Sequence, residues 1–142
     1  MTANHICRAK TKSGDWVEGY VYWMPSGTFY IKQVIEYSAT WDEPGGGASV
    51  KDYEIDADTL GRFSGIEDRI GHSMFEGDII RCFHGGQKDT WIAEVVWDED
   101  DARFALKWNG HVHERNFLYK GRPDFYEVLG NIHDNIELLN GK

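Results

Sequence analysis

The chain has 142 residues, 41% hydrophobic and 14% aromatic, with 15 Lys and Arg against 24 Asp and Glu, for a net charge of −9. That length suits one domain or two small ones that fold without a disulfide or metal, and the acid excess disfavours non-specific binding to a phosphate backbone. No apolar run reaches the ~18 residues of a membrane span, and the N-terminus lacks an apolar stretch of signal-peptide length, so the expectation is a cytoplasmic protein with no membrane contact.

In chain order, Ile6 to Ala9 reads as a short first strand and Ser13-Gly14-Asp15 as a turn. Trp16 to Trp23 alternates, with Val17, Gly19, Val21 and Trp23 on one face and Trp16, Glu18, Tyr20 and Tyr22 on the other. Pro25-Ser26-Gly27 turns the chain, and Phe29 to Tyr37 alternates again. A polar, Gly-rich stretch from Ser38 to Ser49 follows and is expected to be a loop or linker. Asp56 to Leu60 predicts one helical turn stopped by Gly61.

Glu76-Gly77-Asp78 delivers a strand over Ile79 to His84. Trp91 to Trp97, the acidic turn Asp98-Glu99-Asp100-Asp101 and a return strand bearing Phe104, Leu106 and Trp108 predict a hairpin. Tyr126 to Ile132 is the last strand. Asp134 to Leu139 predicts a terminal helical turn, with Asp134 as cap, Glu137 three positions on, and Ile136 and Leu139 docked on the core. Leu is sparse, so Trp, Tyr, Val and Ile are expected to form the core, in a mainly β fold of the small-barrel or sandwich kind.

No pattern carries recognisable chemistry. His111 and His113 share a face if extended, but two ligands are too few for zinc. Cys7 and Cys82 are far apart, form no CxxC, and read as reduced, buried thiols. Gly45-Gly46-Gly47 is not followed by the Lys-Ser/Thr of a phosphate loop. The acidic turn lacks the alternating ligands and Gly of a calcium loop. The expectation is no catalytic residue, no metal and no cofactor. Trp41 differs from the other tryptophans in lying within the polar stretch, where an exposed ring could anchor a partner. Lys32, Arg62, Arg69, Arg81, Arg103 and Lys107 interleave with the strands and could assemble a local basic stripe.

Two stretches carry a resemblance. Thr59 to Cys82, TLGRFSGIEDRIGHSMFEGDIIRC, places Gly61, Phe63, Gly65, Asp68, Gly71, Glu76, Gly77 and Asp78 in a turn-and-strand pattern. Tyr126 to Leu139, YEVLGNIHDNIELL, adds Gly130 and Asn131. Together they resemble the signature of the YopX-like phage and prophage proteins, with Arg62, Ser64 and Ile136 as departures. The resemblance implies an N-terminal β-rich, meander-like part over residues 1–57 and a C-terminal SH3-like β-barrel over 58–142. It also implies phage or prophage origin in a bacterial host, and homo-oligomers. It transfers no catalytic residue, and the glycines and aspartates can be explained as turn formers.

The expected function is therefore a non-enzymatic protein-interaction module. Its partners are itself and a host or phage protein, met through Trp41 and the Asp98, Glu99, Asp100, Asp101 tip. The alternative is a small barrel that binds nucleic acid.

Overall fold

A computed structural model describes residues 6–37, 48–83, 90–118 and 123–140. The fold is mainly β, with eleven strands among the described residues and helix limited to three short 3-10 turns. The chain divides into two compact units, one spanning His5–Arg62 and the other Phe63–Lys142.

In the first unit, β1 (Cys7–Lys10), β2 (Trp16–Trp23), β3 (Phe29–Tyr37) and β4 (Ala48–Glu54) form an antiparallel meander. The start of β5 (Gly61–Glu67) pairs with the other side of β1, through Cys7 opposite Arg62 and Arg8 opposite Gly61. The period-2 pattern of β2 and β3 sets the register, with Tyr20 opposite Lys32 and Tyr22 opposite Tyr30. Ala9, Val17, Ile31 and Ile55 form the core of this unit. The predicted helical turn is Ala57–Thr59, and Asp56 caps it by accepting the N–H of Asp58. Thr59 Oγ1 accepts the N–H of Lys10 at 2.8 Å, which ties this turn to β1.

β4 occupies the edge of the meander. Its first residues, Ala48 and Ser49, fall in what the sequence suggests is still loop. Of the expected polar stretch, residues 38–47 lie outside the described residues, and Trp41 with them.

The second unit holds a five-stranded antiparallel sheet in the order β10-β9-β8-β7-β11. These strands are β7 (Asp78–Phe83), β8 (Thr90–Asp98), β9 (Arg103–Trp108), β10 (His111–Phe117) and β11 (Tyr126–Asn131). No ladder joins β10 to β11 among the described residues. From Phe63 onward β5 pairs with β6 (Ser73–Phe75), with Phe63 opposite Phe75 and Glu67 opposite Ser73. β7 lies between β8 and β11, and Asp78, Ile79 and Ile80 in succession are buried, as suits a central strand covered on both faces. The predicted β8–β9 hairpin forms with Asp98 opposite Arg103. β9 and β10 turn through Asn109 and Gly110, both at positive φ, the geometry of a two-residue type I′ turn.

Two sequence expectations need correction. The core of the second unit is Ile66, Met74, Ile80, Cys82, Ala93, Val95, Leu106, Leu118 and Tyr126; no described Trp is fully buried. Aliphatic residues, Cys82 and the Tyr126 ring fill the interior, and the flat rings of Trp91 and Phe104 pack at its margin. The terminal helical turn is Ile136–Leu139, and Asp134 does not cap it. Asn131 Oδ1 instead accepts the N–H groups of His133 and Asp134, and Ile136 is 52% exposed rather than docked.

Both cysteines are buried and outside any disulfide, and burial pushes the Cys82 thiol up to about 12. At pH 8 the thiolate fraction of Cys82 is on the order of one in ten thousand. A chromogenic thiol reagent should leave Cys82 unmodified in the native protein and reach it in denaturant. Rapid native labelling of Cys82 would show that this core opens locally.

Candidate interaction surface

The two signature stretches meet within the second unit. Asp68, 3% exposed, ends the β5 side of a tight turn closed by Gly71 at φ 91°. Asp68 Oδ1 accepts the N–H of Ile70 at 3.0 Å and of His72 at 2.8 Å. Its Oδ2 accepts the N–H of Val128 in β11 at 2.9 Å. Burial alone would raise the Asp68 pKa. The N–H bonds from Val128, His72 and Ile70, with the His72 imidazole 3.7 Å away, outweigh it and hold the carboxyl below its usual range.

Beside this turn, the Gly77 N–H donates to Val95 and its carbonyl accepts from Ile132, both at 2.8 Å. Asp78, fully buried, accepts the N–H of Phe75. Gly130 has no Cβ because the Asn135 carboxamide occupies that space and accepts the N–H of Asn131. Gly61 and Phe63 sit at the start of β5, Gly65 within it at φ 84°, and Glu76 in the turn after β6. The Asp68 and Asp78 carboxylates accept backbone N–H groups, and Gly65, Gly71 and Gly77 hold positive φ, so this part of the signature is a joint between turns and strands.

The acidic tip is a built turn. Asp98 Oδ1 accepts the N–H of Asp100, and Ala102 closes the turn at φ 51°. The Arg103 guanidinium lies 4.0 Å from Asp98 and 3.3 Å from Asp101, so one cation partly offsets the acids. Glu99, Asp100 and Asp101 face water. Three of the basic residues singled out in the sequence have partners within their own unit. Lys32 pairs with Asp52 at 3.0 Å, Arg81 with Glu127 at 3.5 Å, and Arg69 lies over the Phe83 ring.

The exposed apolar surface of the first unit lies elsewhere, on β2, β3 and β4. Trp23 is 66% exposed, Val34 52%, Met24 48%, Val50 46% and Tyr20 43%. They form two patches. On the outer sheet face, Val34 stands directly opposite Val50, and Tyr20 opposite Lys32, one pair further along. Around them Tyr22 stacks on Tyr30 at 5.3 Å, and the Lys32–Asp52 pair neutralises its own charge. Hydrogen bonding from Lys32 is the main cause that holds the Asp52 carboxyl below its usual range.

The second patch is the β2–β3 hairpin tip, where Trp23 leans on Phe29 with ring centroids 6.1 Å apart. Gly27, Thr28 and Phe29 there form one wall of an open polar cleft of about 290 Å3, whose other lining includes Glu54, Asp56, Asp58 and Lys12. Sequence alternation places Trp23 on the core face. It keeps that side of the strand, but the strand runs past the core. Its position as the last strand residue before Met24-Pro25-Ser26-Gly27 is the signal that could have found it.

Titratable groups with displaced pKa values are dispersed through the second unit. Burial raises Glu94, with Lys107 opposing, and Cys82 and Asp68 lie in structural positions of their own. No group of three His, Cys, Asp or Glu residues that could hold a metal ion occurs among the described residues. Likewise, no helix among them is long and apolar enough to cross a membrane.

The family model described as YopX protein matches residues 14–140, so the chain belongs to that family. No curated protein matches it. Among solved structures, the crystal structure of protein EF1440 from Enterococcus faecalis superposes with a TM-score of 0.59 at 19% identity, covering 95% of this chain and 96% of that one. That likeness is one of fold.

Proposed function

We propose that this member of the YopX family is a non-enzymatic protein-interaction module that pairs with a second copy of itself through the outer face of β2, β3 and β4. The observation that carries this reading is the exposed patch of Tyr20, Val34 and Val50 on one face of β2, β3 and the edge strand β4. Exposed contiguous apolar surface on a soluble chain marks a contact site. The adjacent Lys32–Asp52 pair offsets its own charge, so this pair does not repel its copy across an isologous interface.

Nucleic acid is the weaker reading, because Arg8 and Lys10 sit over the Trp16 ring and Lys32 is paired with Asp52. Two buried cysteines outside any disulfide fit a reducing bacterial cytoplasm. The phage or prophage setting and the SH3-like character of the second unit belong to the same proposal.

Sedimentation velocity over a concentration series tests it. The wild type should show a mass that rises with concentration, and Val34→Lys should weaken the association roughly ten-fold or more, since it places a charge at the centre of the patch. Val34 is exposed, so its thermal unfolding should stay close to wild type. A monomer at every concentration, or equal association by the variant, would overturn the reading.

A further inference from the structure

We infer that the β2–β3 hairpin tip and the cleft beside it form a second docking site, for an extended cationic segment of another protein that carries an apolar residue next to a Lys or Arg. This inference rests on the reading of the chain as an interaction module, but it uses a different surface from the self-association face.

Trp23 and Met24 are exposed together at the tip, and a Trp in such a position is the residue type that most often dominates a protein interface. The patch is continuous with the cleft, because Phe29 both contacts Trp23 and lines the cleft wall. The cleft floor is acidic. Glu54, Asp56 and Asp58 face a single base, Lys12, whose Nζ lies 4.0 Å from Glu54 on a well-exposed side chain. Asp56 already accepts the N–H of Asp58, which leaves Glu54 and Asp58 as the acids open to a new cation.

A volume of about 290 Å3 is below the usual size of a small-molecule pocket, roughly 300–1,000 Å3. It suits one long side chain. A Lys or Arg entering the cleft would meet Glu54 and Asp58 and displace Lys12, while the adjacent apolar residue covers Trp23. The net charge of −9 would steer such a segment toward the chain.

The test uses the full chain and a fluorescently labelled peptide repeating Ser-Lys-Leu-Lys, with its Ser-Glu-Leu-Glu counterpart and a single-stranded oligonucleotide as comparison probes. The readout is anisotropy at low and moderate salt. The basic peptide should bind and the other two should not. Trp23→Ala and the double variant Glu54→Gln/Asp58→Asn should each weaken binding roughly ten-fold or more. Lys12→Ala, which removes the competing cation, should strengthen it a few-fold.

Glu99→Gln/Asp100→Asn makes the same change in net charge at the acidic turn of the second unit and should stay within about two-fold of wild type. Equal weakening by the two double variants would mean that bulk charge alone attracts the peptide, and would overturn the inference. So would no binding at low salt, unchanged affinity in Trp23→Ala, or equal binding of the acidic peptide or the oligonucleotide. Val34→Lys should bind the peptide as the wild type does. If it loses self-association while the peptide site fails, the function proposed above survives and this inference does not.

Discussion

Replacing Asp68 with Ala should destabilise the second unit by about 3 kcal/mol or more, because each buried hydrogen bond to a charged group is worth roughly 1.5–3 kcal/mol and three N–H groups lose their acceptor together. Those donors are Ile70, His72 and Val128, and the last lies sixty positions away in sequence. For a chain of this size the unfolding temperature should fall by roughly 6–12 °C. Asp68→Asn keeps the shape but loses the charge and turns one oxygen into a donor, so it should also be destabilising.

The pH dependence has a definite sign. The folded Asp68 carboxyl titrates below its unfolded value, so its contribution is fully present above that value, about pH 4. It is lost as pH falls through the lower, folded value. The stability gap between wild type and Asp68→Asn, measured by urea unfolding, should be constant from neutral pH down to about pH 4 and shrink below it. A gap that persists unchanged in strong acid would mean that the carboxylate charge contributes nothing.

Gly19→Ala should be comparably severe in the first unit. A Cβ at Gly19 would collide with the carbonyl oxygen of Lys32 and come within 3.0 Å of Ile31 Cγ2. The first of these is backbone and cannot swing aside, so β2 and β3 would have to separate where they pair. Overpacking of this kind costs about 1–3 kcal/mol and occasionally more. Gly14→Ala provides the comparison. Its added Cβ meets nothing within 4 Å, so any loss there reports only the strain of φ 97°. Circular dichroism melts of the two variants should rank Gly19→Ala as the less stable.

Much of this fold is legible in the sequence where one face of a strand is buried and the other is wet. β2 and β3 begin and end where alternation places them, and Asp56 caps its turn as its position before Ala57 suggests. The β8–β9 hairpin is marked by its acidic turn. β4 is not legible, because Ser49, Val50, Lys51 and Asp52 are all exposed and an edge strand with no buried face leaves no alternation to read. Asn109-Gly110 was an available hairpin signal for β9 and β10.

The terminal turn misleads for a different reason. Asp134 and Glu137 have the spacing of a capping box, but Asn131 Oδ1 accepts the Asp134 N–H that Glu137 would take in such a box, and the turn starts one residue later, after Asn135. The signature residues read as turn and strand formers in the sequence, but the joining of their two stretches through Asp68 and Val128 is a tertiary contact that no local pattern encodes. The interaction surface is the least legible part. Tyr20, Val34 and Val50 look like ordinary strand residues, and only the register that sets Val34 against Val50 makes them a patch. Trp41, the ring that sequence singles out as an anchor, lies outside the described residues.

The central claim is that the chain works through the outer face of β2, β3 and β4. Hydroxyl-radical footprinting at low and high protein concentration tests it most directly, because it reports which side chains become covered. The account predicts that Tyr20 loses reactivity as the mass rises, while Trp23 and Met24 at the hairpin tip keep theirs. Unchanged reactivity of Tyr20 in the associated protein would contradict it.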